Sequence, residues 1–305
     1  MLAIKGLRKA FDSVIALEDV SFTVERGEVF GLLGPNGAGK TTSIRIILNI
    51  LLPDGGEVLY DGKPFSDNVR SIIGYLPEER GLYKKSKLID TITYFGSLRG
   101  MSYGKAKSEA MRWLERLGLA DHAGRKCEEL SQGNQQKVQF VCAVLHDPAL
   151  VILDEPFSGL DPVNQEIFKG ILLELKDAGK AVIFSTHQMD QAEKLSDRIC
   201  LINRGRVVLE GAVRDVKKRY GSDTLAIAFD GDGSGLESVT GVRKLVRDGN
   251  TAELNIDPAV SLQKVIGEMN AKVTLKKFEI REPSLQSIFL DVVGSGTTGQ
   301  PGGRA

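Results

Sequence analysis

One stretch constrains this 305-residue chain more than any other: Gly34-Pro35-Asn36-Gly37-Ala38-Gly39-Lys40-Thr41, followed by Thr42. It comes directly after Val29-Phe-Gly-Leu-Leu33, a continuous apolar run that reads as a buried strand. It comes directly before apolar residues at Ile44, Ile47, Leu48 and Leu51, which read as one face of a helix ending at Pro53. Gly34 and Gly39 with Lys40-Thr41 have the spacing of a phosphate-binding loop, and strand before with helix after is the context that the motif requires. Glycines let backbone N–H groups turn inward around a phosphate, and the helix N-terminus adds the positive end of its dipole. The spacing therefore predicts a cradle for ATP over residues 34–42. Lys40 is expected to bridge the β- and γ-phosphates, and Thr41 Oγ to ligate Mg²⁺.

A second run, Ala149-Leu-Val-Ile-Leu153, is apolar throughout, as expected of a central parallel strand. Asp154 and Glu155 stand at its C-terminal end, where open α/β sheets place ligand chemistry. Asp154 is predicted to hold Mg²⁺ through its water shell, and Glu155 to orient and activate the attacking water. Alone, the pair before Pro156 also fits an ordinary strand-end turn; the phosphate loop upstream favours the functional assignment.

Charge and cysteine usage exclude several other classes. The formal net charge is zero and the pI is about 6.9, so no global basic field argues for nucleic acid. Lys217-Lys218-Arg219 reads as a solvated helix end. Cys127, Cys142 and Cys200 have no CxxC spacing, which excludes a disulfide framework or zinc knuckle and fits a reducing compartment. All three read as buried small hydrophobes. No secretory leader is expected, and no run approaches the roughly 20 apolar residues of a membrane span. The best candidate, Ile44 to Leu52, is interrupted by Arg45 and Asn49. Any role at a membrane is expected to need a partner.

The remaining pattern predicts an α/β fold with a mostly parallel sheet. Val20–Val24 alternates as a half-buried strand, and Asp54-Gly55-Gly56 turns into a hairpin through Glu57–Tyr60. Residues 86–146 read as helical, with Trp113, Leu114 and Leu117 on a helix face. Strand-like runs return at Ala181–Ser185 and Ile199–Asn203. Around Tyr220-Gly221-Ser222 the composition shifts. Strand candidates at Leu225–Phe229, Arg243–Arg247, Ala252–Ile256 and Val273–Ile280, with helices after Pro258 and Pro283, suggest a small α+β domain. The expected division is 1–220, with a helical subdomain over about 80–147, then 221–293, then a disordered Gly-rich tail over 294–305.

Further motifs carry a family resemblance. Leu130-Ser131-Gln132-Gly133-Asn134-Gln135-Gln136-Lys137 resembles the signature sequence of ABC ATPases, usually Leu-Ser-Gly-Gly-Gln. Ser158-Gly159-Leu160-Asp161 matches that family's D-loop, His187 in Ser185-Thr186-His187 its switch histidine, and Phe11 the aromatic that stacks on adenine. The order is the family's and covers residues 1 to about 220. The resemblance implies a P-loop NTPase fold and a head-to-tail pair of ATPase domains, as a homodimer or with a second ABC ATPase. In such a pair Ser131 and Gly133 contact the γ-phosphate bound to the opposite copy's loop, Asp161 belongs to the shared nucleotide site, and His187 contacts the γ-phosphate and senses its loss. This chain departs from the family pattern at Gln132 and Asn134, and at Gly74-Tyr-Leu-Pro77-Glu78-Glu79, where a glutamate replaces the usual glutamine of the Q-loop. An ionised carboxylate accepts but cannot donate a hydrogen bond. Glu78 is accordingly expected to be a metal or coupling contact, with Glu79 the alternative alignment.

Residues 77–83, the signature variant and Pro283–Leu290 are similar to the branch of sodium-efflux and multidrug-export ATPases with a small C-terminal domain. The resemblance implies an ATP-hydrolysing subunit on the cytoplasmic face of a membrane, driving a separate permease docked near residues 77–100. The competing class, an ABC ATPase acting on ribosomes or DNA, resembles tandem ATPase domains or carries a long coiled coil. This chain has one phosphate loop and no sustained heptads.

Overall fold

Among the described residues of the computed structural model (1–64, 66, 69, 71–79, 81–220, 224–257 and 259–295), ten strands join in one sheet and four in another. Arg80, Gly221, Ser222, Pro258 and the tail from 296 lie outside the described residues. The chain divides into two units, Met1–Ala212 and Val213–Ala305.

The ten-stranded sheet of the first unit has two arms. Its antiparallel arm comprises β1 (Leu2–Phe11), β2 (Val14–Val24), β4 (Gly55–Tyr60) and β5 (Lys63–Pro64), in the order β5-β4-β1-β2. Its parallel arm is β9 (Arg198–Asn203), β3 (Val29–Leu33), β8 (Ala181–Thr186), β7 (Leu150–Asp154) and β6 (Ile73–Leu76), paired in that order. Every residue of β3, β7 and β8 is buried, so each large apolar side chain contributes roughly 1.5–3 kcal/mol of burial. This is what a continuous apolar run buys when helices cover both faces. The sequence reading did not anticipate β10 (Arg206–Ala212), which pairs antiparallel with β9 and meets β2 only at Arg206↔Asp19, closing the gap between the arms.

The first unit's helices are α1 (Lys40–Ile47), α2 (Leu88–Leu98), α3 (Tyr103–Arg116), α4 (Gln132–Val144), α5 (Pro162–Asp177) and α6 (Met189–Leu195). One expectation is corrected: α1 stops before Leu51. Asn49 takes φ 53°, the left-handed conformation that ends helices, and the N–H groups of Ile50 and Leu51 turn back to the Arg45 carbonyl. Pro53 is therefore not what stops it.

In the second unit, β11 (Thr224–Asp230), β12 (Val242–Asp248), β13 (Thr251–Ile256) and β14 (Thr274–Arg281) form an antiparallel sheet in the order β12-β13-β11-β14. The unit also holds α7 (Val213–Arg219), α8 (Leu262–Asn270) and α9 (Leu285–Ser295). Alternation along β11 and β13 sends Leu225, Ile227, Phe229 and Leu254 into a core with Val265 and Met269 of α8. Gly294 and Ser295 close α9, so regular structure runs past the point where the composition turns Gly-rich. Lys217-Lys218-Arg219 ends α7. The three cysteines are free, with Cys127 and Cys200 buried and Cys142 half-buried.

Candidate active site

The loop between β3 and α1 is shaped by three glycines with φ of 149° (Gly34), 77° (Gly37) and 111° (Gly39). A Cβ on Gly34 would lie 2.2 Å from the Ile202 carbonyl oxygen, and one on Gly39 2.7 Å from that of Ala16, so neither position admits a side chain. Gly39 is the N-cap of α1, and no side chain caps that helix. Ser102, Ser131 and Asp161, by contrast, cap α3, α4 and α5 by accepting from the backbone three residues on. The first turn of α1 thus keeps its N–H groups without side-chain partners beside the loop, the arrangement that binds anions. Lys40 is buried, and its Nζ donates to the carbonyls of Gly34 (2.7 Å) and Pro35 (3.1 Å). Burial pushes its pKa down, opposed by the attraction of Glu155, Asp154 and Glu78 in that order.

At the end of β7, Asp154 is 1% exposed; its Oδ1 accepts from Ser185 Oγ, while Oδ2 is buried with no hydrogen-bond partner. An unpaired buried carboxylate oxygen is costly, and it suits a hydrated divalent cation facing it. Glu155 adopts φ 49°, a conformation that non-glycine residues avoid. Its N–H donates to Ser185 Oγ at 3.2 Å. Its Oε1 accepts from the His187 N–H (3.1 Å) and lies 2.8 Å from His187 Nδ1, and its Oε2 accepts from Thr186 Oγ1 (3.3 Å).

Asn36 to Thr42, Glu78, Asp154 and Glu155 line one cleft of about 320 Å³ together with Val14, Ile15 and Ala16. Glu78 lines it and Glu79 does not. Phe11 is also absent from its walls: it closes β1 opposite Val14, 45% exposed, with Lys9 Nζ 5.6 Å from its ring centre. Ser131, Gly133 and Asp161 stand apart from the cleft within one chain. Ser131 and Asp161 are helix caps, and a Cβ on Gly133 would come 3.0 Å from the Gly159 carbonyl oxygen.

Two contributions were missed by sequence reasoning. Ser185 touches both Asp154 and Glu155 because β8 pairs with β7 in the register Asp154↔Ser185. A serine two residues before His187 is the sole local hint. The apolar lip Val14–Ala16 reaches the cleft through the β1–β2 hairpin, and Val14 and Ile15 are 64% and 62% exposed beside it. Adjacent β-branched residues, Val14-Ile15, just after Asp12-Ser13 were the available signal.

The family model described as "ABC transporter" matches residues 17–158, and the model "ATP-binding protein DrrA1-3-like, C-terminal domain" matches 211–293. The chain is 40% identical to the uncharacterized ABC transporter ATP-binding protein YhaQ of Bacillus subtilis (strain 168), over 97% of this chain and 99% of the relative. It is 33% identical to the Nod factor export ATP-binding protein I of Rhizobium sp. (strain N33), over 95% of each. Among solved structures, the dimeric post-hydrolysis state of the ATP-binding cassette MJ0796 bound to ADP and Pi superposes with a TM-score of 0.65. It is 26% identical, covering 70% of this chain and 99% of that one. With its phosphate loop and strand-end carboxylates gathered in one cleft, the chain belongs to the ABC transporter ATP-binding proteins and is an ATP-hydrolysing subunit of that family.

Proposed function

We propose that the cleft binds Mg-ATP and that two copies, or this chain and a second ABC ATPase, close head to tail over it to drive a separate membrane permease. The observation that carries the reading is the convergence of Lys40, Glu78, Asp154 and Glu155 on one cleft, with Asp154 Oδ2 buried and unpaired. Lys40 exchanges its two loop carbonyls for the β- and γ-phosphate oxygens. Thr41 Oγ and Asp154, with Glu78 as a further metal or coupling contact, are the residues that would hold Mg²⁺, which would neutralise charge on the phosphates when bound. So sparse a protein ligand set suits an ion that keeps several waters and shares its shell with phosphate.

Glu155 takes the proton of the attacking water, and His187, beside its carboxylate, contacts the γ-phosphate. Phe11 stacks on adenine, with Val14 to Ala16 as the nearer apolar wall. Ser131, Gly133 and Asp161 act across the dimer, which fits their distance from the cleft of their own chain. ATP favours the closed pair because it binds that state more tightly, and hydrolysis removes the preference.

On this reading the nucleotide-binding domain runs over 1–220, although α7 groups with the second unit, with its helical subdomain over about 80–147 and an accessory domain over 221–293. The permease docks near residues 77–100, where Tyr83, Tyr94 and Leu98 are about half exposed or more and Tyr83, Tyr94 and Phe95 meet ring to ring. No helix among the described residues is long and apolar enough to cross a membrane. The chain then works as a peripheral subunit on the cytoplasmic face. Similarity to relatives named for Nod factor export, linearmycin resistance and fluoroquinolone export supports export of a drug- or antibiotic-like substrate; a sodium substrate rests on the sequence resemblance alone. Purification from membranes through a tag on this chain is expected to bring down a multi-span permease; ribosomes or DNA in its place would overturn the transport role.

A further inference from the structure

Gln139 sits on α4 about two turns beyond Ser131, and its side chain is buried, 5% exposed. Its Nε2 donates to the carbonyl of Glu79 at 2.9 Å and to that of Pro77 at 3.4 Å, on either side of Glu78. Carbonyls only accept, so the amide must turn its NH₂ toward them. Two neighbours on the same helix face make related contacts. Gln136 Nε2 donates to the Pro156 carbonyl at 3.3 Å, in the turn after Glu155. Ala143 lies against β6 so closely that a Cβ on Gly74 would stand 2.2 Å from its carbonyl oxygen. Positions 136, 139 and 143 are spaced three and four apart, so one face of α4 grips the backbone leaving both β6 and β7.

Packing alone does not account for a glutamine here. Its Oε1 is buried without a hydrogen-bond partner, a cost that a methionine of similar length avoids while filling the same space. What methionine lacks is the pair of donors aimed at Pro77 and Glu79.

We propose that Gln139 is a positioning residue of the ATPase: it fastens the Glu78 loop to the helix that begins at Ser131, so that the place of Glu78 in the cleft moves with that helix. The proposal rests on reading the cleft as the ATP site. Gln139 does not line the cleft. A displacement of the Ser131 end travels along the hydrogen-bonded helix and reaches Glu78 through the two carbonyls.

The test uses the full chain with Gln139→Met, which keeps length and loses both donors, and Gln139→Glu, which keeps shape and sets a carboxylate against the two carbonyl oxygens. Cleavage after Glu78 and Glu79 by a glutamate-specific protease is expected to accelerate about tenfold or more in both variants of the nucleotide-free protein, with cleavage after Glu166 and Glu174 of α5 unchanged. That control separates local release from general destabilisation. For Mg-ATP hydrolysis, kcat is expected to fall about tenfold with KM held within about twofold, the split of a group that acts on turnover. A wild-type cleavage rate after Glu78 and Glu79 in the methionine variant overturns the proposal, whatever kcat does. Because the proteolysis arm needs no nucleotide, a wild-type chain that binds no ATP would remove the reading of the cleft and still leave the tether to be judged.

Discussion

The cleft of the first unit and the open sheet face of the second both gather charge, and they handle it in opposite ways. In the first, Lys40, Asp154 and Glu155 are buried, Lys40 is engaged by its own loop, Asp154 leaves one oxygen unpaired and Glu155 holds an avoided backbone conformation. In the second, a groove of about 400 Å³ is floored by Ala226 and Ala228 and edged by Glu253, Lys277, Glu279 and Arg281, which pair among themselves in solvent. Taking a charge out of water costs several kcal/mol unless something offsets it, whereas an exposed pair is worth about 0–1 kcal/mol and asks for nothing further. The larger opening therefore carries the weaker functional argument. Unmet cost, more than volume, marks the site.

The largest effect that tests this contrast is expected from Lys40→Ala. Removing the buried cation should lower ATP turnover by about 10³-fold, measured as phosphate release, and full activity would break the comparison outright. Glu155→Gln is expected to lower kcat by about 10²-fold and to trap a closed pair. Light scattering in Mg-ATP should then read a doubled mass, and a monomer would count against the shared site. In the second unit the outcome should reverse. Leu254→Ala empties part of its core and should cost about 2–5 kcal/mol in that unit's denaturant transition, with turnover changed less than about twofold. Smallest of all, Arg281→Ala removes an exposed pair with Glu253 and should shift that transition by no more than about 1 kcal/mol. A larger shift would show that the groove's charges matter more than their exposure suggests.

Legibility divided along the same physical line. The loop over residues 34–41 was readable because its chemistry is contiguous: two glycines at fixed spacing, a lysine and a threonine stand in one short run, as a single backbone turn that encloses an anion requires. Asp154-Glu155 was readable because an apolar run announces a central strand, and the residues just past such a strand stand at its ligand-binding end. The end of α1 was misjudged because Pro53 is a strong breaker, while the actual stop is a single left-handed Asn49. β10 was missed because its residues alternate only loosely and gain their pairing from β9, already placed by the core.

By itself, then, the sequence determined the α/β fold class, the glycine loop between β3 and α1 and the carboxylates that share its cleft, since each is set by neighbours a few residues apart. Tertiary structure alone decided that Ser185 grips both carboxylates, that Val14 to Ala16 line the cleft where Phe11 does not, and that Gln139 holds the Glu78 loop. Those contacts join residues tens of positions apart. They depend on strand register and helix packing, which no local pattern of residue types encodes.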